Sequence, residues 1–138
     1  MASYEYTLAD CPSGERAREL WLQHAAGFII FEDARQYAIN QIEATVDEAT
    51  KAQIVDGINN AIYGMMMIFD GVSGALQNNH LAVSMETTVQ LHQKAGRENK
   101  LVHQVTLSKG DGMCMGYHGW REGDFGKNPV VLKKDPET

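Results

Sequence analysis

At 138 residues, 43% hydrophobic and 22% charged, the chain has the length for one domain with a packed core and an ordinary folded composition, which excludes disorder and low complexity. The net charge of −6 is uneven: residues 1–80 carry four Lys or Arg against eleven Asp or Glu, and residues 81–138 carry eight against seven. The basic footprint that nucleic acid requires is missing, so a basic protein or a cationic ligand is the favoured partner.

No run reaches the roughly 18 uncharged apolar residues of a membrane helix, and MASYEYTLAD lacks the basic end and apolar block of a signal peptide. A cytoplasmic chain with no membrane contact is expected. Cys11 and Cys114 do not form the framework of a small secreted domain, so both thiols are expected to be reduced.

In chain order, Asp10 or Ser13 is positioned to cap a first helical stretch, with Pro12 accommodated in its opening turn. Apolar residues from Ala17 through Leu20, Trp21, Ala25, Phe28 and Phe31 to Ile42 recur at three and four, predicting helix to about Thr45. Gly27 or the Glu32-Asp33 pair would interrupt it, leaving one bent helix or two. Thr45-Val-Asp-Glu48 fits a capping box for a second helix. Its stripe of Ile54, Val55, Ile58, Ala61, Ile62, Met65, Met66 and Phe69 stops at Asp70-Gly71, with Met67 on another face. The short connection makes the two stretches antiparallel neighbours.

From His80 the period alternates. Val83, Met85, Thr87, Val89 and Leu91, then Leu101, His103, Val105 and Leu107 beyond the turn-forming KAGREN, predict an antiparallel hairpin with His103 opposite Leu91. His103 is expected to be a core imidazole bonded to backbone. The glycine-rich segment 110–126 and Val130 to Leu132 offer one or two further strands, and the terminal KKDPET is expected to fray. The resulting expectation is α+β, one globular domain over 1–138, with an N-terminal antiparallel helix pair (the helical part about 10–71) packed on one face of a small C-terminal antiparallel sheet (the strand part about 80–132).

Segment 110–126 sets six glycines among Cys114, Tyr117, His118, Trp120, Arg121 and Phe125. Tyr, Trp and Arg dominate many interfaces, so Tyr117, His118, Trp120 and Arg121 form a candidate anchor loop; the alternative is that Trp120 and Phe125 fold back to seal the sheet. Glu32, Asp33, Glu43, Asp47, Glu48 and Asp56 are candidates for an acidic landing site on the helices. Together these predict an acidic interaction domain, an inhibitor or immunity-type protein that occludes a basic partner such as a toxin enzyme. Two alternatives stand beside it. One is a small-molecule-binding domain or small enzyme using Cys114, His118 and Trp120; the other is a homodimeric structural subunit with paired helix faces. No motif calls for a cofactor, and no His or Cys pair has zinc spacing.

Overall fold

The computed structural model describes residues 1–134 and has an α+β architecture in which every strand pair is antiparallel. A short helix, α1 (Ala2–Glu5), leads into β1 (Tyr6–Leu8), and the chain then enters α2 (Glu15–Ile30). Six residues of wide π-type turn (Phe31–Gln36) continue α2 without a break into α3 (Tyr37–Asn40). The Glu32-Asp33 pair therefore marks the irregularity, and Gly27 does not. The helix starts later and stops earlier than its periodicity suggests: its N-cap is Gly14, with no side-chain hydrogen bond from Asp10 or Ser13.

After a turn, α4 (Glu48–Phe69) is capped by Asp47, whose carboxylate accepts from the Thr50 amide at 2.8 Å. The expected capping box is replaced by this simpler cap, because Asp47 stands directly before the first helical residue and Thr45 does not. The helix exits through Asp70 and Gly71, with Gly71 at φ 75°. Met66 is fully buried as expected, whereas Met65 is 45% exposed.

Among the described residues the strands are distributed over three two-stranded sheets. Here β2 (Ala75–Gln77) pairs with β3 (Ala82–Ser84), β4 (Thr88–Ala95) with β5 (Glu98–Thr106), and β1 with β6 (Val130–Leu132). Val83 and Met85 thus precede the long hairpin rather than belonging to it. That hairpin turns at Gly96-Arg97, with Gly96 at φ 62°, and pairs Leu91 with His103 as its alternation predicts. The His103 imidazole makes no hydrogen bond to backbone among the described residues. Its Nε2 lies 4.0 Å from Glu19 and is buried without a hydrogen-bond partner. The β1–β6 pair joins the two ends of the chain, and the Lys133 amide donates to the Glu5 carbonyl at 2.8 Å. Of the KKDPET tail expected to fray, residues 135–138 lie outside those described.

Segment 110–126 departs most from expectation: it forms a helix, α5 (Met113–Arg121), and no strand. Met113, Tyr117 and Trp120 fall at i, i+4 and i+7, so all three share one face, and all three are buried. That face wedges between α2 and α4, packing with Ala26, Ile62, Met66 and Leu107. A second cluster, Trp21, Leu22 and Val105, seats α2 on the β4–β5 hairpin.

The molecule is not closed around these clusters. Its solvent-accessible surface is 9951 Å² for 15.3 kDa, against roughly 7,100 Å² for a typical folded monomer of that mass. In α4 only Asn59, Ile62 and Met66 are buried, and every residue from Gly71 to Glu86 is exposed.

Candidate interaction surface

The glycine-rich helix is held by its own contacts. Trp120 is 2% exposed, its indole donates to His24 Nδ1 at 2.9 Å, and its ring stacks on Phe125 at 6.1 Å. A Cβ on Gly27 or Gly116 would lie 2.6 or 2.5 Å from this ring, so both glycines create the slot it fills. Tyr117 is 1% exposed, and its hydroxyl donates to Asn59 Oδ1 at 3.0 Å; Arg35 Nε donates to the same oxygen at 2.8 Å. A buried amide thereby joins the wide turn, α4 and α5, and the burial of Tyr117 raises its phenol pKa. Of the expected anchor loop, Tyr117 and Trp120 are core residues, and only His118 and Arg121 reach the surface.

The first turn of α5 is equally committed. Asp70 accepts from the amides of Met113 at 2.5 Å and Cys114 at 2.9 Å, so the protein's own carboxylate occupies the positive end of the helix. That end would otherwise favour a thiolate. Instead burial, and then the neighbouring Asp70 carboxylate, push the Cys114 thiol pKa up. His118 packs its ring on Tyr63 at 5.7 Å and, among the described residues, makes no hydrogen bond to Cys114. The pairing that would activate a cysteine nucleophile is not assembled. Cys11 and Cys114 are both free thiols.

The acidic residues divide. Asp33 accepts from the Ala2 amide at 2.6 Å and so faces α1, while Arg35, two residues on, turns toward α4. Glu32 is half-buried, and Asp56 is exposed in the third turn of α4. Glu43, Asp47 and Glu48 gather at the α3–α4 turn, where an open depression of about 390 Å³ is lined by Ile39, Ile42, Val46, Glu43, Glu48 and Lys51 among others. No Lys or Arg forms a salt bridge with any of these six carboxylates among the described residues. The exposed lining is mainly polar, with Ile39, Ile42 and Val46 interspersed among Glu43, Glu48, Gln36, Asn40 and Lys51; such a mixture suits a long cationic side chain, whose stem packs on Ile and Val while its head meets carboxylate.

A further cavity escaped the sequence reading. A groove of about 560 Å³ runs between the β1–β6 pair and α2, lined by Tyr6, Leu8, Phe28, Ile29, Lys94 and Lys133 among others. Nothing local in the sequence marks it, because its walls come from segments far apart in the chain: residues 2–8, α2, Lys94 and residues 130–133. No helix among the described residues is long and apolar enough to cross a membrane, and no three His, Cys, Asp or Glu side chains among them come together as metal ligands would. The chain matches no protein-family model, no curated protein and no solved structure at a significant level.

Proposed function

We propose that the chain is an acidic interaction protein that binds and occludes a basic protein partner, with the depression at the α3–α4 turn as its contact point. The observation carrying this reading is the juxtaposition of Glu43 and Glu48, which among the described residues form no salt bridge with Lys or Arg, with the side chains of Ile39, Ile42 and Val46 in a mainly polar depression. Such a surface speeds encounter with a basic patch electrostatically and gains contact area from the partner's Arg or Lys stems. The glycine-rich helix supports this surface from within. Its Tyr117 shares Asn59 with Arg35, which fixes the wide turn leading into α3. An immunity-type inhibitor of a toxin enzyme is the form this function takes in the proposal.

Affinity capture from source-cell lysate at low and then moderate salt tests it, with wild type beside Glu43→Lys/Glu48→Lys. A stoichiometric basic protein retained by wild type at low salt and lost by the variant is expected. Equal capture by both, or none from cells shown to contain the candidate partners, overturns the reading.

A second reading rests on the groove beside α2, whose volume falls within the usual size of ligand sites. Its apolar lining with Lys94 and Lys133 suits an anionic amphiphile. Concentration-dependent thermal stabilisation by decanoate, weakened in Lys94→Glu, is the expected sign, and an unchanged melting temperature counts against it.

A further inference from the structure

Residues Gly71 to Met85, GVSGALQNNHLAVSM, contain no Asp, Glu, Lys or Arg, although 22% of the chain is charged. This stretch forms the β2–β3 hairpin, in register Ala75 to Ser84, Leu76 to Val83 and Gln77 to Ala82. Register places Leu76 and Val83 on one face, leaving Ala75, Gln77, Ala82 and Ser84 on the other; Leu81 and Met85 flank β3 at the same parity as Val83, and the Asn78 amide donates to the Leu81 carbonyl at 2.9 Å to continue the pairing on that side. The large apolar residues are uncovered: Leu76 is 78% exposed, Leu81 70%, Val83 64% and Met85 63%.

A two-stranded hairpin is marginal in water unless its apolar face is covered, and exposed edges are ordinarily protected by charge, proline or bulges. This hairpin carries neither charge nor proline. The surface of 9951 Å² exceeds the typical monomer value by roughly 2,800 Å², while a standard protein interface buries about 800 Å² per partner and permanent ones more. The surplus belongs to the whole molecule, and Gly71 to Glu86, exposed at every residue, is one continuous contributor to it.

We propose that the Leu76, Leu81, Val83 and Met85 face is the core of a homodimer interface, covered by the same face of a second copy. Charge selects this occupant. Two chains of net charge −6 repel one another over most of their surfaces. The uncharged hairpin is where that repulsion is weakest, and a single apolar face is self-complementary about a two-fold axis. A basic partner is drawn instead to the unpaired carboxylates at the α3–α4 turn. The dimer face does not depend on that partner, and either proposal can fail alone.

The mass in solution decides. Light scattering across about 1 to 100 µM is expected to give twice the chain mass for wild type. Leu76→Glu/Val83→Glu should give the monomer mass with its helical circular dichroism retained, because both side chains are largely exposed and lie outside the two buried clusters. A wild type that is monomeric throughout overturns the proposal, as does a dimer that survives the double substitution. Should that variant unfold, oxidative cross-linking replaces it, in a Cys11→Ser/Cys114→Ser background. Val83→Cys is expected to form a covalent dimer well ahead of Glu98→Cys at the tip of the other hairpin; equal or slower cross-linking at position 83 overturns the interface.

Discussion

The indole of Trp120 donates to His24 Nδ1 at 2.9 Å, which fixes the histidine's role as acceptor and ties its protonation to the packing of α5 on α2. Burial lowers the His24 pKa, with the Asp124 and Asp111 carboxylates opposing that shift less strongly. Because its folded pKa lies below the ordinary value near 6.5, the unfolded chain takes up this proton first, and stability rises with pH. The contribution is full above about pH 6.5 and is lost as pH falls through the lower folded value. Asp111 acts further down. The Arg16 ion pair depresses its pKa, so its contribution is present above the ordinary Asp value and fades under stronger acid, reduced by the exposure of Arg16. Urea unfolding at a series of pH values should show stability falling below neutrality in wild type and a flatter profile in His24→Gln. An unchanged slope in that variant removes His24 as the titrating group.

Trp120→Ala separates the two readings of the glycine-rich segment. As a core residue the ring should cost about 3–5 kcal/mol on truncation, measured by chemical denaturation. A stability within about 0.5 kcal/mol of wild type, the usual range for surface changes, would return Trp120 to the surface.

The helix glycines give a test in which sign matters more than size. Ala normally stabilises an exposed helix interior by about 1 kcal/mol relative to Gly. Gly57 and Gly64 in α4 have nothing within 4 Å of a new Cβ, so Gly57→Ala and Gly64→Ala should raise the melting temperature. At Gly27 and Gly116 the same change places a methyl against the Trp120 ring, and overpacking of about 1–3 kcal/mol should outweigh propensity. A stabilising Gly116→Ala would mean the slot is not filled as described.

These glycines also show why part of the fold was legible and part was not. The two helical stretches and the β4–β5 hairpin are written in local periodicity, down to Leu91 opposite His103. The α5 helix is written in the same code, with Met113, Tyr117 and Trp120 at helical spacing. Interspersed glycines pointed to a bending chain, because their reason lies far away: Gly116 makes room for a tryptophan that also needs Gly27, 89 positions earlier in the chain. The candidate surface divides the same way. The acidic character of the α3–α4 turn is visible in composition. That Asp33 is engaged by Ala2, and that the groove beside α2 exists at all, depends on long-range contacts made by the chain ends. The β2–β3 hairpin is not read from the sequence, where Val83 and Met85 continue the alternation of β4; its separate pairing and its lack of cover are properties of the folded molecule.

Asn59 should behave as the shared acceptor of a coupled network. Asn59→Ala leaves Arg35 and the Tyr117 hydroxyl without a common partner, at an expected cost of about 1–3 kcal/mol. Tyr117→Phe removes one donor and should cost about 1 kcal/mol. In the double variant the hydroxyl penalty is already absent, so the two effects should sum to more than the observed loss. Strict additivity in this double-mutant cycle would separate the two hydrogen bonds.

Asp70 links fold and thiol chemistry in one side chain. Asp70→Asn keeps the volume and one acceptor but removes the charge at the start of α5, and should destabilise by about 1 kcal/mol. The same change removes one of the two main causes holding the Cys114 thiol above its ordinary pKa, leaving burial in place. Alkylation by iodoacetamide in a Cys11→Ser background should then reach half its limiting rate at lower pH than in the Asp70 parent. A faster reaction with an unshifted midpoint would instead mean greater access to the sulfur. A shifted midpoint identifies the carboxylate as the group that keeps Cys114 protonated while it organises the helix.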